Sequence, residues 1–166
     1  MKIISLVVLG LSCVMTGQYI SYRLSRRVRI LEKLLLMFTM TENEISYLSR
    51  PTAELIEKLS EKEELKELDF LSECLSIYKD CGDIERAWIA SVSASRCVDR
   101  SDSGILFSFG ENLGKSDEEG QRSNCRYHAE LAKERLNLAR EKRDKYSSLS
   151  CGLGAMTGIG LFIILF

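Results

Sequence analysis

A single histidine, a single proline and a net charge of only −1 are spread over 166 residues, and each scarcity excludes something. With His128 alone, neither a histidine-based metal site nor a Ser-His-Asp relay has the material it needs within one chain. No CxxC pair and no GxxxxGK[ST] or GxGxxG run occurs, so an organised zinc site and a phosphate-cradling loop are not expected, and no cofactor or metal is assigned. Acidic and basic residues nearly balance, 24 against 23. The chain therefore has no global attraction to nucleic acid or to anionic membranes, and its partners must be chosen locally. No alternating run of Val, Ile and Thr and no Asn-Gly or Asp-Gly turn is present, which argues against strands. No fixed-period repeat suggests a solenoid.

What is present is unevenly placed. The first twenty and last eighteen residues are almost free of charge, whereas the middle is dense in Glu, Lys and Arg. Ile3 to Ile20 is uncharged, and such a helix reaches about 27 Å, close to the hydrocarbon thickness of a bilayer. Arg23, Arg26, Arg27 and Arg29 follow it. That cluster favours a retained anchor over a cleaved signal peptide, because basic residues beside a span are held on the cytoplasmic side. A lipoprotein signal at Cys13 is disfavoured by Gly10, three residues before it, where a branched apolar residue is needed. Leu149 to Phe166 is again uncharged, with Arg140, Lys142, Arg143 and Lys145 on its inner flank. Both flanks face the middle, so the charge bias predicts residues 21–148 in the cytoplasm and both termini outside. Gly154 and Gly158 form a small-xxx-small pair, which either admits a second helix closely or reflects the general frequency of glycine in membrane helices.

The middle carries helical periodicity throughout. Val28, Leu31, Leu35, Phe38, Ile45 and Leu48 mark one apolar stripe. Pro51 ends that helix, since its ring removes an N–H and disfavours helical geometry in the preceding residue. Ala53, Ile56 and Leu59 mark the buried side of a short second helix, and Leu65, Leu68, Leu71, Cys74, Leu75 and Tyr78 that of a third. Gly82 and Asp83 read as a stop and a restart. Ile84, Ala87, Trp88, Ser91 and Val92 then share a face, with Trp88 as a core anchor rather than a ligand-stacking ring. A turn at Ser101–Gly104 precedes Ile105, Leu106, Phe109 and Leu113, and Gly114 ends that helix. Ser116 to Glu119 has the pattern of a capping box opening a last helix. Its seam of Cys125, Ala129, Ala132, Leu136 and Ala139 is small enough for close packing, with His128 flanking it. The expectation is an all-α antiparallel bundle at 23–146, between an N-terminal transmembrane anchor at 1–22 and a C-terminal transmembrane helix at 147–166.

Six cysteines, Cys13, Cys74, Cys81, Cys97, Cys125 and Cys151, would suit a disulfide framework in a secreted protein, yet two lie in the apolar ends. Buried free thiols are expected instead. Carboxylates at helical spacing beside Lys read as solvated ion-pair faces rather than acid-base dyads. One asymmetry remains: Glu54 to Glu73 is acidic and the last helix basic, so opposed charge could dock the two segments or steer a partner.

Leu106, Phe109, Gly110, Leu113, Gly114, Asp117 and Gln121 stand at the spacing of the stage III sporulation protein AB signature, and Glu44, Ile45, Tyr47 and Pro51 resemble that family's first helix and its break. The chain resembles this family over essentially its whole length. Thr52 departs from it, standing where Leu is common and leaving the start of the second helix less well packed. The resemblance implies a soluble part like the cytoplasmic domain of type II secretion protein F. It also implies a place in the mother-cell membrane around the forespore, within a channel or secretion-like complex, beside an AA-type ATPase and other stage III membrane subunits. Homo-oligomerisation is left open. By the residues themselves, Phe109, Gly110, Leu113, Gly114, Asp117 and Gln121 build a helix corner. Asp117 and Gln121 either brace it or meet a partner. The expected function is a non-enzymatic scaffold docking an ATPase to membrane subunits; the alternatives are a membrane-anchored, metal-dependent enzyme using the acidic segment, or a secreted helical adaptor.

Overall fold

A computed structural model describes the backbone of residues 2–48 and 52–165, and the side chains of 15–45 and 52–146. The described backbone is helical with no strand: α1 (Lys2–Leu48), α2 (Thr52–Ser60), a 3-10 turn (Glu63–Leu65), α3 (Asp69–Cys81), α4 (Ile84–Ala94), α5 (Ser103–Asn112) and α6 (Glu118–Leu165). It divides into two compact units. One comprises residues 29–136, the other 1–28 with 137–166.

Residues 29–136 form the antiparallel bundle. Gly82 closes α3 at φ 69°, a left-handed conformation that glycine adopts without penalty, and its N–H bonds the Tyr78 carbonyl. Asp83 opens α4 by accepting the Arg86 N–H at 3.1 Å. The chain thus reverses, and the start of α3 meets the end of α4: the Asp69 carboxylate accepts from Ser95 Oγ at 2.5 Å and from Arg96 N–H at 3.0 Å. Burial alone would raise the Asp69 carboxyl, but the donors from Ser95, Arg96 and Cys97 outweigh it and hold the group below its ordinary value. Lys115, just past α5, pairs with Glu85 at the start of α4, so α4 and α5 are also antiparallel. Between α1 and α6, Arg126 meets Glu42 at 2.7 Å and His128 meets Phe38, again in opposed order.

The core is a ring stack spanning five helices. Phe70 of α3 meets Trp88 of α4 edge-on at 5.4 Å, Trp88 meets Phe109 of α5 at 5.5 Å, and Phe109 meets Phe38 of α1 at 4.9 Å and His128 of α6 at 5.4 Å. Inclined pairs of this kind add about 0.5–1.5 kcal/mol each beyond their area burial. Trp88 is a core anchor, as its apolar neighbours indicated, and its indole N–H donates to the Leu106 carbonyl at 2.8 Å.

Several faces are turned from their expected setting. In α1 the buried positions are Val28, Ile30, Leu31, Leu34, Met37, Phe38 and Thr41, while Leu35 and Ile45 are half-buried and the Leu48 side chain lies outside the described residues. Leu34, Leu35, Leu36 and Met37 are all apolar, so hydropathy cannot choose among them; the direction from which α5 and α6 approach does. In α2, Leu55 is buried and Ala53 half-buried; in α3, Phe70 is buried and Leu75 and Tyr78 half-buried. The helix after the Ser101 turn already begins at Ser103. On α6, His128 is buried within the seam rather than flanking it, and Ala129 is half-buried. Cys74 and Cys125 are buried free thiols, but Cys97 is half-buried and Cys81 exposed. Burial pushes the Cys74 thiol up to about 11 and the Cys125 thiol up to about 12, which makes both poor nucleophiles. The acidic segment pairs with α1, through Lys58–Glu44 at 2.5 Å and Arg29–Glu67 at 2.8 Å.

In the second unit the described side chains are those of 15–28 and 137–146. Val28 and Ala139 are buried there, and Met15, Tyr19, Ile20, Tyr22, Leu138 and Tyr146 are exposed. No helix is long and apolar enough to cross a membrane among the described residues. The side chains of Leu149 to Phe166, and most of those of Ile3 to Ile20, lie outside them, as does the Gly154–Gly158 pair.

Candidate functional site

The corner between α5 and α6 gathers all six residues that the sequence singled out. It begins with Phe109 and Leu113, four apart on a helix and both buried. Phe109 is the hub of the ring stack. Gly110 lies against the Trp88 indole so closely that a methyl group in its place would stand 2.2 Å from Cδ1. The absence of a side chain at Gly110 is therefore what lets α5 close on α4.

Past α5 the chain must turn sharply, and Gly114 takes φ 76°. Its α-carbon also faces α2: a methyl there would lie 2.9 Å from Thr52 Oγ1. Thr52, which stands where Leu is common, is half-buried and turns its hydroxyl toward this glycine. Asp117, not Ser116, is the residue that caps α6: its Oδ1 accepts the Gly120 N–H at 3.0 Å and its carbonyl accepts the Gln121 N–H at 2.9 Å. Glu118 and Glu119 follow in the first turn, at the positive end of the helix. Gln121 is the brace. Its Nε2 donates to the Asn112 carbonyl and to Ser116 Oγ, both at 3.1 Å, tying the exposed end of α5 to the loop and to α6. These bonds give Asp117 and Gln121 structural work, and they leave Lys115 to Glu119 exposed as a ridge.

Behind the corner sits His128, which is 2 % exposed. Its Nδ1 faces the Asn124 carbonyl at 2.8 Å, and a carbonyl only accepts, so Nδ1 carries the proton. Nε2 is then the acceptor, and the Ser108 hydroxyl donates to it at 2.7 Å. Burial depresses the imidazole below its ordinary value, a shift that the Asn124 bond only partly opposes. The pair is legible only in three dimensions, since Ser108 and His128 are twenty residues apart on different helices. Likewise the partners of Gly110 and Gly114, Trp88 and Thr52, carried no signal that named them. No group of three or more potential metal ligands occurs among the described residues.

Residues 2–166 match the model of one family, described as stage III sporulation protein AB. No curated protein and no solved structure matches the chain.

Proposed function

The chain belongs to the stage III sporulation protein AB family, which gives it a role in sporulation, and on that premise we propose that it is a non-enzymatic membrane scaffold. In this reading the uncharged ends tether the bundle to the mother-cell membrane around the forespore. The bundle faces the cytoplasm, where it docks an AA-type ATPase to other stage III membrane subunits in a secretion-like complex. The family match carries the proposal, because it takes in both uncharged ends together with the helical middle. The basic collars at Arg23–Arg29 and Arg140–Lys145 support the same orientation from either side. The corner supports a docking role: its interior residues hold a rigid turn, and the exposed ridge Lys115–Glu119 presents charged groups on it. The single histidine supports a scaffold over a hydrolase, since its two ring nitrogens are engaged by Asn124 and Ser108 inside the core. The expected likeness to the type II secretion protein F cytoplasmic domain rests on family resemblance alone.

The test is recovery of the full-length chain from membranes of sporulating cells in mild detergent. An ATPase and further stage III membrane subunits are expected with it. Recovery without them, or metal-dependent hydrolysis by the purified full-length chain, would overturn the scaffold reading.

A further inference from the structure

Near the first uncharged run, Met15, Tyr19, Ile20 and Tyr22 are all exposed, Tyr19 at 63 % and Tyr22 at 64 %. Successive helical residues are turned by about 100°, so Met15, Tyr19 and Tyr22, at i, i+4 and i+7, share one face of α1, with Ile20 turned about 100° from Tyr19. A helix that packed this face in a bundle would bury it, and a water-solvated one would make it polar. Apolar and phenolic groups exposed beside an uncharged run are what a helix carries where it passes the membrane–water boundary. On α6, Tyr146 is exposed in the same way beside the second uncharged run.

The charges sit at matching depth. Arg23 follows Tyr19 by four residues, and Lys142 precedes Tyr146 by four; each offset is about 6 Å along a helix axis. The headgroup layer is itself about 5–8 Å thick on each side of a bilayer. With the Tyr19 and Tyr146 phenols at the edge of the hydrocarbon, Arg23 and Lys142 would stand at phosphate level on two different helices, with Tyr22 beside Arg23 in the headgroup layer. Arg23, Lys142 and Lys145 are exposed. No carboxylate occurs between Met15 and Val28, and on α6 the cations Arg140, Lys142, Arg143 and Lys145 outnumber Glu141 and Asp144, the latter engaged by Arg143 at 2.8 Å.

We infer that Tyr19, Tyr22 and Arg23 of α1 and Lys142, Lys145 and Tyr146 of α6 form a collar that binds the headgroups of anionic phospholipids. The inference rests on the membrane tethering proposed above and adds a lipid preference to it. Charge complementarity selects the partner: phosphatidylglycerol keeps a net negative charge at the level of these cations, whereas phosphatidylcholine cancels its own.

The test uses the full-length chain in neutral detergent, with phosphatidylglycerol and phosphatidylcholine offered at equal concentration and bound lipid counted by native mass spectrometry. Each cation near an anionic surface favours it by about fivefold, so R23Q/K142Q/K145Q is expected to lower the preference on the order of 100-fold with an unchanged melt. R23Q alone should lower it about fivefold. Equal retention of the two lipids by the wild-type chain, or an undiminished preference in the triple variant, would overturn the inference. Washing the membranes at alkaline pH separates this from the tethering: a chain that washes off sinks both readings, and one that stays without lipid preference sinks only this one.

Discussion

At the scale of single residues, the corner depends on atoms that are missing as much as on those present. Replacing Gly110 by Ala sets a methyl group into the Trp88 ring, and the indole cannot swing away without losing its bond to the Leu106 carbonyl. The expected loss is about 3 kcal/mol, the upper part of the usual overpacking range, measured by denaturant unfolding; a loss within 0.5 kcal/mol, the ordinary scatter of surface changes, would mean that α4 and α5 can separate. His128 makes a second expectation. Its folded value lies below the ordinary 6.5, so as pH falls through about 6.5 the unfolded chain takes up a proton before the folded one does. Stability is full above that pH and declines as pH drops toward the depressed folded value. Asp69 does not contribute there, because its carboxyl loses its stabilising effect only when pH falls below its ordinary 3.8. Thermal melts between pH 7 and pH 5 should therefore fall for the wild-type chain and stay flatter for H128Q; parallel slopes would refute the assignment.

At the scale of elements, the two left-handed glycines make a controlled comparison. Gly82 and Gly114 share nearly the same φ, but open space surrounds the first, whereas the second faces Thr52. Gly82→Ala should lose about 1 kcal/mol for the backbone conformation alone, and Gly114→Ala distinctly more. Adding Thr52→Ala should recover part of that excess, with a coupling of about 0.5 kcal/mol or more in a double-mutant cycle. Exact additivity would separate Thr52 from the turn. The cap at Asp117 is a weaker element: D117A should remove about 1 kcal/mol. Melting and complex recovery measured on the same variant separate the two roles of Asp117. A modest drop in melting with the complex retained fits the brace, and an unchanged melt with the complex lost would make Asp117 a recognition residue.

At the scale of the whole molecule, the orientation of the bundle can be tested with a thiol already present. Cys81 is exposed on the described surface, while Cys74 and Cys125 are buried, with burial pushing their thiols up to about 11 and about 12. A membrane-impermeant maleimide should leave Cys81 unlabelled in intact cells and modify it once the membrane is opened, as read by peptide mass. Labelling of Cys81 in intact cells would place the bundle on the other side and end the proposed partnership with an internal ATPase.

The all-helical class, the stops at Gly82 and Gly114, the cap at Asp83 and the burial of Trp88 were legible in the sequence, because each follows from local conformational preference or from a period of about 3.6 residues. The uncharged ends and their basic flanks were legible for the same reason, since charge density is a property of the chain itself. Tertiary structure decided the rest. It turned α1 so that Leu34 and Thr41 are buried and Leu35 is not, brought His128 to Ser108, seated Trp88 on Gly110 and Thr52 on Gly114, and made Asp117 the cap in place of Ser116. Those outcomes depend on which helices approach and from what direction, and a run such as Leu34–Met37, apolar at every position, leaves that direction for packing to choose.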